Sequence, residues 1–139
     1  MNVNIWGGFF FLALTAHASP NFKKSCYIKP CEIKGDFDGD GKKDLAVLVQ
    51  NNRGLKGIEI RLAKKTIRLG AGESFGNGGL NFDWMDHWEL RHQKPESVLT
   101  KKTQVRAVVA DSLFVEQSHA ASAIIHWDGT QFEWIQQGD

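Results

Sequence analysis

The chain has 139 residues, 42% hydrophobic and 24% charged, with Lys and Arg (17) nearly balancing Asp and Glu (16). That length predicts one domain, and the composition excludes an extended disordered or collagen-like chain. The near-neutral balance supplies no field to draw the chain onto nucleic acid or an anionic membrane.

The first eighteen residues differ in character from the rest. Ile5 to Ala16 is apolar apart from Thr15 and two glycines. Ala16-His17-Ala18 sets small residues at the third and first positions before a signal-peptidase cut at Ser19. Residues 1–18 therefore read as an export signal and 19–139 as one periplasmic or secreted β-rich domain, although Met1 to Asn4 carries no Lys or Arg. A membrane anchor is the competing reading. Twelve residues, however, make about 18 Å of helix against a hydrocarbon core of about 30 Å, so no membrane span is expected after signal cleavage.

Export places Cys26 and Cys31 in an oxidising compartment, where a disulfide closing this short loop is expected. Zinc held by both thiolates with His87 and His92 is the alternative. Those histidines, however, face opposite ways on a strand.

Short strands follow. Glu32–Gly35 leads into an Asp-rich loop, and Leu45-Ala46-Val47-Leu48-Val49 is suited to burial on both faces. Asn51-Asn52-Arg53-Gly54 carries turn residues. Ile58–Leu62 and Thr66–Leu69, joined by Ala63-Lys64-Lys65, predict a hairpin. From Gly70 to Gly79 five glycines in ten residues read as a long mobile loop. Phe82, Trp84, Trp88 and Leu90 alternate with Asp83, Met85, His87, Glu89 and Arg91 as on a half-buried strand, with a helix from near Asp83 as the other option. Residues 93–104 read as a connection with room for a helical turn, and Val105–Ala110 and Leu113–Glu116 as strands. Asp128-Gly129 predicts a two-residue type I′ hairpin pairing Trp127 with Thr130, Ile125 with Phe132 and Ala123 with Trp134. Those six residues then share an apolar face, and His126, Gln131 and Glu133 lie opposite with Ile124 and Ile135. The expected fold is mainly β, a single small antiparallel domain of sandwich or barrel type.

The strongest chemical pattern lies at the end of the first of these strands. Asp36, Asp38, Asp40 and Asp44 occupy positions 1, 3, 5 and 9 of a calcium loop, with Gly41 at the sharp-turn position 6 and the Lys42 carbonyl available at position 7. A hard cation takes six to eight oxygens, and a loop curling round it turns alternate side chains inward. Without a cation these carboxylates repel one another. The stretch from Gly35 to Val49 resembles EF-hand and dockerin loops, and more closely those of FG-GAP and VCBS-type repeats, in which D-x-D-x-D-G-x-x-D precedes an apolar strand. Position 12 is Val47 rather than the bidentate Glu of an EF-hand, and the chain contains one such loop, not the repeats of a propeller.

Other signals are weaker. Gly72-Glu73-Ser74-Phe75-Gly76 matches the nucleophile elbow, with Asp111 and His126 following in order. The motif needs a strand before it and a helix after it, and Asn77-Gly78-Gly79 starts no stable helix. The spacing also differs from that of nucleotide-binding glycine loops. Ser74 therefore reads as part of a glycine loop, of interest only for ligand contact. Trp84 and Trp88 are either core residues or a sugar-stacking platform, and the single histidines read as structural or surface groups. The sequence thus predicts a calcium-stabilised exported module that binds a protein or glycan, including an inhibitor or immunity-type variant. The alternative is a small hydrolase using Asp83, Asp86 and Glu89 as acid and base.

Overall fold

A computed structural model describes residues 21–92 and 109–138. The export signal at 1–18, the 93–104 connection and most of the Val105–Ala110 candidate lie outside them. Nine strands run β1 Phe22–Lys24, β2 Glu32–Gly35, β3 Asp44–Asn51, β4 Lys56–Arg61, β5 Thr66–Gly70, β6 His87–His92, β7 Asp111–Gln117, β8 Ala121–Trp127 and β9 Phe132–Gly138. The described residues contain no α-helix, only two 3₁₀ turns at Gly76–Gly78 and Phe82–Trp84. None of their helices is long and apolar enough to cross a membrane.

The strands form two antiparallel sheets that do not close into a barrel. In the first sheet, β1 and β2 pair with successive halves of one edge of β3, while β4 and then β5 follow on the other side. The second sheet is the meander β6-β7-β8-β9. One core joins them. Ala46, Leu48, Ile58, Ile60 and Leu69 of the first sheet pack in the same cluster as Trp88, Leu113, Val115, Ala123, Ile125 and Trp127 of the second. The continuous apolar run in β3 has the physical reason expected of it: Ala46 and Leu48 enter this core, whereas Val47 and Val49 pack outward with Ala71, Phe22 and Leu45. The Arg68 guanidinium lies 3.9 Å over the Phe22 ring beside that outer cluster.

Residues 25–31, between β1 and β2, form a loop closed by the Cys26–Cys31 disulfide, with Cα atoms 4.8 Å apart. Both sulfurs are thereby used, which removes the zinc alternative. The loop stays attached to β3 through Ser25 N–H to Leu48 O and Leu48 N–H to Cys31 O. Its Pro30 carbonyl accepts the Trp88 indole N–H at 2.8 Å. At Asn51–Gly54 the turn forms as expected. The Asn51 Oδ1 accepts from the N–H groups of Arg53 and Leu55, an Asx-type closure that Asn favours.

Three expectations need correction. The alternating stretch from Phe82 to Leu90 is not one strand: Phe82–Trp84 is a 3₁₀ turn, its Asn81 side chain accepting from Asp83 N–H, and pairing begins only at His87. An Asn immediately before the turn offers the backbone this competing hydrogen bond. The Asp128-Gly129 hairpin is likewise longer than two residues. Trp127 pairs with Phe132, not Thr130, because the Asp128 Oδ1 accepts from both Thr130 and Gln131 N–H and draws four residues into the connection. A shift of two preserves the face of every side chain, so Trp127, Ile125, Ala123 and Phe132 do meet the core. Finally, the Gly70–Gly79 loop is held by backbone bonds at Gly70–Glu73, Gly72–Leu80 and Phe75–Gly79. Its glycines serve close approach. A Cβ on Gly76 would sit 2.4 Å from the Trp134 side chain, and one on Gly78 2.7 Å from Phe82.

Candidate functional site

The Asp-rich loop is the connection between β2 and β3, closed at its base by the Gly35–Asp44 pair. A strand therefore brings the chain in, and a strand carries it away. Gly39 and Gly41 adopt positive φ of 76° and 89°, a conformation open to glycine at little steric cost. These two bends let Asp36, Asp38, Asp40 and Asp44 each contribute an oxygen lying within 4.8 Å of the others. Such a group could hold a metal ion.

Backbone amides shape the loop from within. The Asp36 carboxylate accepts from Asp40 N–H at 3.1 Å and Gly41 N–H at 2.8 Å, and Asp40 accepts from Lys42 N–H at 2.8 Å. The Asp44 Oδ2 accepts from Phe37 N–H at 2.9 Å. Phe37 itself turns inward and is 1% exposed in the main core. The acidic loop is thus fastened to the apolar interior by the residue between its first two aspartates.

The carboxylates do not share one acidity. Burial pushes Asp44 up to about 6. The Phe37 N–H opposes that rise, and the neighbouring charges of Asp38, Asp40 and Asp36 add to it. Asp38 is raised as well, first by burial, while the Lys42 N–H lowers Asp40. Crowded carboxylates of this kind are the arrangement that a divalent cation relieves.

A residue outside the loop also shapes it, and sequence reasoning placed it elsewhere. Asp111, at the start of β7, accepts from Asp36 N–H at 2.9 Å through Oδ2, while Asp111 N–H donates to Asp36 O at 2.9 Å. Its Oδ1 lies 2.6 Å from His92 Nδ1. The second sheet therefore grips the first aspartate of the loop. With the two 75 positions apart in sequence, no local spacing signals the contact.

The other candidates separate. Ser74 is exposed, whereas His126 is buried with its Nδ1 2.7 Å from Ser112 Oγ, and Asp111 is occupied as above, so no Ser74–His126–Asp111 relay forms. Asp86 holds Ser118 through both carboxylate oxygens. Glu89 is bracketed by His87 at 2.8 Å and Arg91 at 2.6 Å, and both lower its pKa, Arg91 more strongly. Asp83 lies on the 3₁₀ turn, not on the strand that carries Glu89. Trp88 is a core residue, 1% exposed. Trp84 is half-buried and packs edge-on to Trp134 at 5.9 Å. Comparison with protein-family models, with curated proteins and with solved structures finds no match for this chain.

Proposed function

We propose that this chain is an exported calcium-binding β-domain, with an FG-GAP/VCBS-like loop, that acts as a non-enzymatic binding module for a protein or glycan. An inhibitor or immunity-type protein is one form of that reading. The observation that carries the metal assignment is the convergence of four aspartate oxygens around two positive-φ glycines. All-oxygen donors without Cys or His favour a hard cation, and a flexible loop with more than four oxygens to offer suits calcium. The Lys42 carbonyl would supply the position 7 ligand. With Val47 in place of the position 12 Glu, the expected dissociation constant is about 10⁻⁵ to 10⁻³ M. The Cys26–Cys31 disulfide accords with export.

Binding rather than catalysis is favoured because Asp86 and Glu89 are engaged in holding neighbouring backbone and side chains. Retention of a specific protein or polysaccharide from envelope or extracellular fractions, in calcium buffer, is the expected result for the chain beginning at Ser19. Absence of any retained molecule, together with turnover of a polysaccharide that is lost in Asp83→Asn or Asp86→Asn, would replace the binding reading with the hydrolase. A finer test addresses Asp111, whose carboxylate positions Asp36 without joining the four loop carboxylates. Outer-shell partners of this kind typically govern metal affinity by 10–100-fold. Asp111→Ala should therefore weaken calcium binding about tenfold in calorimetric titration, and Asp111→Asn, which keeps an acceptor oxygen, should retain most of it.

A further inference from the structure

At the far end of β7 from the metal loop, the second sheet and the two 3₁₀ turns border a cleft of about 140 Å³ lined by Trp84, Trp134, Asn77, Gln117, Ser122 and Gln136 above Val115. Asp111 and Gln117 mark the two ends of β7, about 20 Å apart at a strand's rise per residue. Metal loop and cleft are therefore separate features.

The chemistry of the cleft is selective. None of its described lining residues is ionisable, which disfavours a phosphate, a carboxylate or an ammonium as the bound group. What the cleft offers instead is amides, a hydroxyl and indole surfaces. These groups are already oriented. The Gln136 Oε1 accepts from Trp134 Nε1–H at 2.8 Å and from Asn77 Nδ2–H at 3.0 Å, and its own Nε2–H donates to Gly138 O at 2.7 Å. The Trp84 Nε1–H donates to Gly78 O at 3.0 Å. Both indole N–H groups are thus engaged within the fold, and the rings contribute apolar surface. Asn77 keeps its carbonyl oxygen and second N–H as hydrogen-bonding capacity.

Two further features fix this geometry. The Gly70–Gly79 loop packs directly on the indoles, since a Cβ at Gly76 or Gly78 would collide with Trp134. In addition, a register shift falls between Ser122 and Ala123. The extra residue is Gln137 on β9, next to Gln136, whereas Ser122 keeps its regular pairing with Glu116; the bulge therefore bends β9 at the cleft.

We propose that the Trp84–Trp134 cleft is a binding subsite for a single neutral sugar ring. A pyranose presents an apolar C–H surface, which suits indole, and a rim of hydroxyls that both donate and accept, which suits amides and Ser. The volume is below the ~300–1,000 Å³ of sites for drug-sized ligands, so one ring or a chain end fits and a folded peptide does not. The proposal rests on the reading of the chain as a binding module and names the ligand class of that module.

The test is a titration followed by ¹⁵N–¹H spectra, with methyl glycosides of neutral hexoses and N-acetylhexosamines as probes, taken to tens of millimolar. The expected result is a saturable shift confined to the indole N–H signals of Trp84 and Trp134 and the side-chain amides of Asn77, Gln117 and Gln136. Its dissociation constant should be roughly millimolar, as for a ligand of about a dozen heavy atoms. Asn77→Ala and Gln117→Ala, both at exposed positions, should each weaken it several-fold in a protein that keeps its calcium-dependent melting shift. No saturable shift with any neutral sugar overturns the proposal, as does a shift unaltered by both variants, or occupancy of the cleft by a peptide or an acidic sugar alone. The calcium-dependent melting shift, measured on the same samples, reports the metal reading separately. Sugar failure with that shift intact rejects the cleft alone, and loss of the shift with sugar binding intact rejects the metal alone.

Discussion

Addition of ~10 mM calcium to the metal-free protein is expected to raise its melting temperature by about 10 °C, and Asp38→Ala is expected to abolish the rise. The size follows from linkage. A dissociation constant near 10⁻⁴ M places ~10 mM calcium about a hundredfold above it, which stabilises the folded chain by about 2.7 kcal/mol. For a domain of this length each kcal/mol moves the midpoint by roughly 4 °C. The coupling to global unfolding, rather than to fraying of a surface loop, is structural. Phe37 lies between two of the aspartates, sits in the main core and donates its N–H to Asp44. Asp36 is held through its backbone to Asp111 of the second sheet. An ion that orders Asp36 and Asp44 therefore stabilises contacts on both sides of the core. Scanning calorimetry with calcium and with chelator measures the shift. A midpoint unmoved by calcium, or moved equally in Asp38→Ala, would remove the metal from the account.

Trp88→Ala should be still more damaging, costing about 3–5 kcal/mol in urea denaturation. Trp88 is 1% exposed and packs where the two sheets share their core, so its removal leaves a cavity bounded by both. The change also strips the Pro30 carbonyl of its indole partner at 2.8 Å and loosens the disulfide-closed loop. Trp88→Phe isolates that second part and should cost about 1 kcal/mol through the hydrogen bond, plus a smaller packing loss. Total stability of a small domain is about 5–15 kcal/mol, so the alanine variant is expected to unfold at markedly lower urea while remaining foldable. An alanine variant with unchanged stability would contradict the core position of this ring. Trp84, half-buried at the cleft, should tolerate substitution better.

Much of this architecture is legible along the chain because it depends on neighbours in sequence. The calcium-type spacing fixes Asp36, Asp38, Asp40 and Asp44 relative to Gly41, and their oxygens do converge within the loop. The apolar run of β3, the Asn51 turn and the closeness of Cys26 to Cys31 are equally local. Strand alternation also assigned the β8 and β9 faces correctly, because an error of two residues in register leaves every side chain on its own face.

What required the structure is where a local side-chain bond overrides alternation and where side chains reach across the fold. Asp128 lengthens its hairpin by accepting two amides, and Asn81 turns an alternating strand pattern into a 3₁₀ turn. Local hydrogen bonds of this kind outweigh periodicity over a few residues. The grip of Asp111 on Asp36 and the meeting of Asn77 with Gln136 span 75 and 59 residues. The sequence by itself determined the β character and the acidic loop, since alternation and ligand spacing are short-range properties. Only the tertiary packing decided which tryptophan is core, which borders a cleft, and why Gly76 and Gly78, pressed against Trp134 and Phe82, carry no side chain.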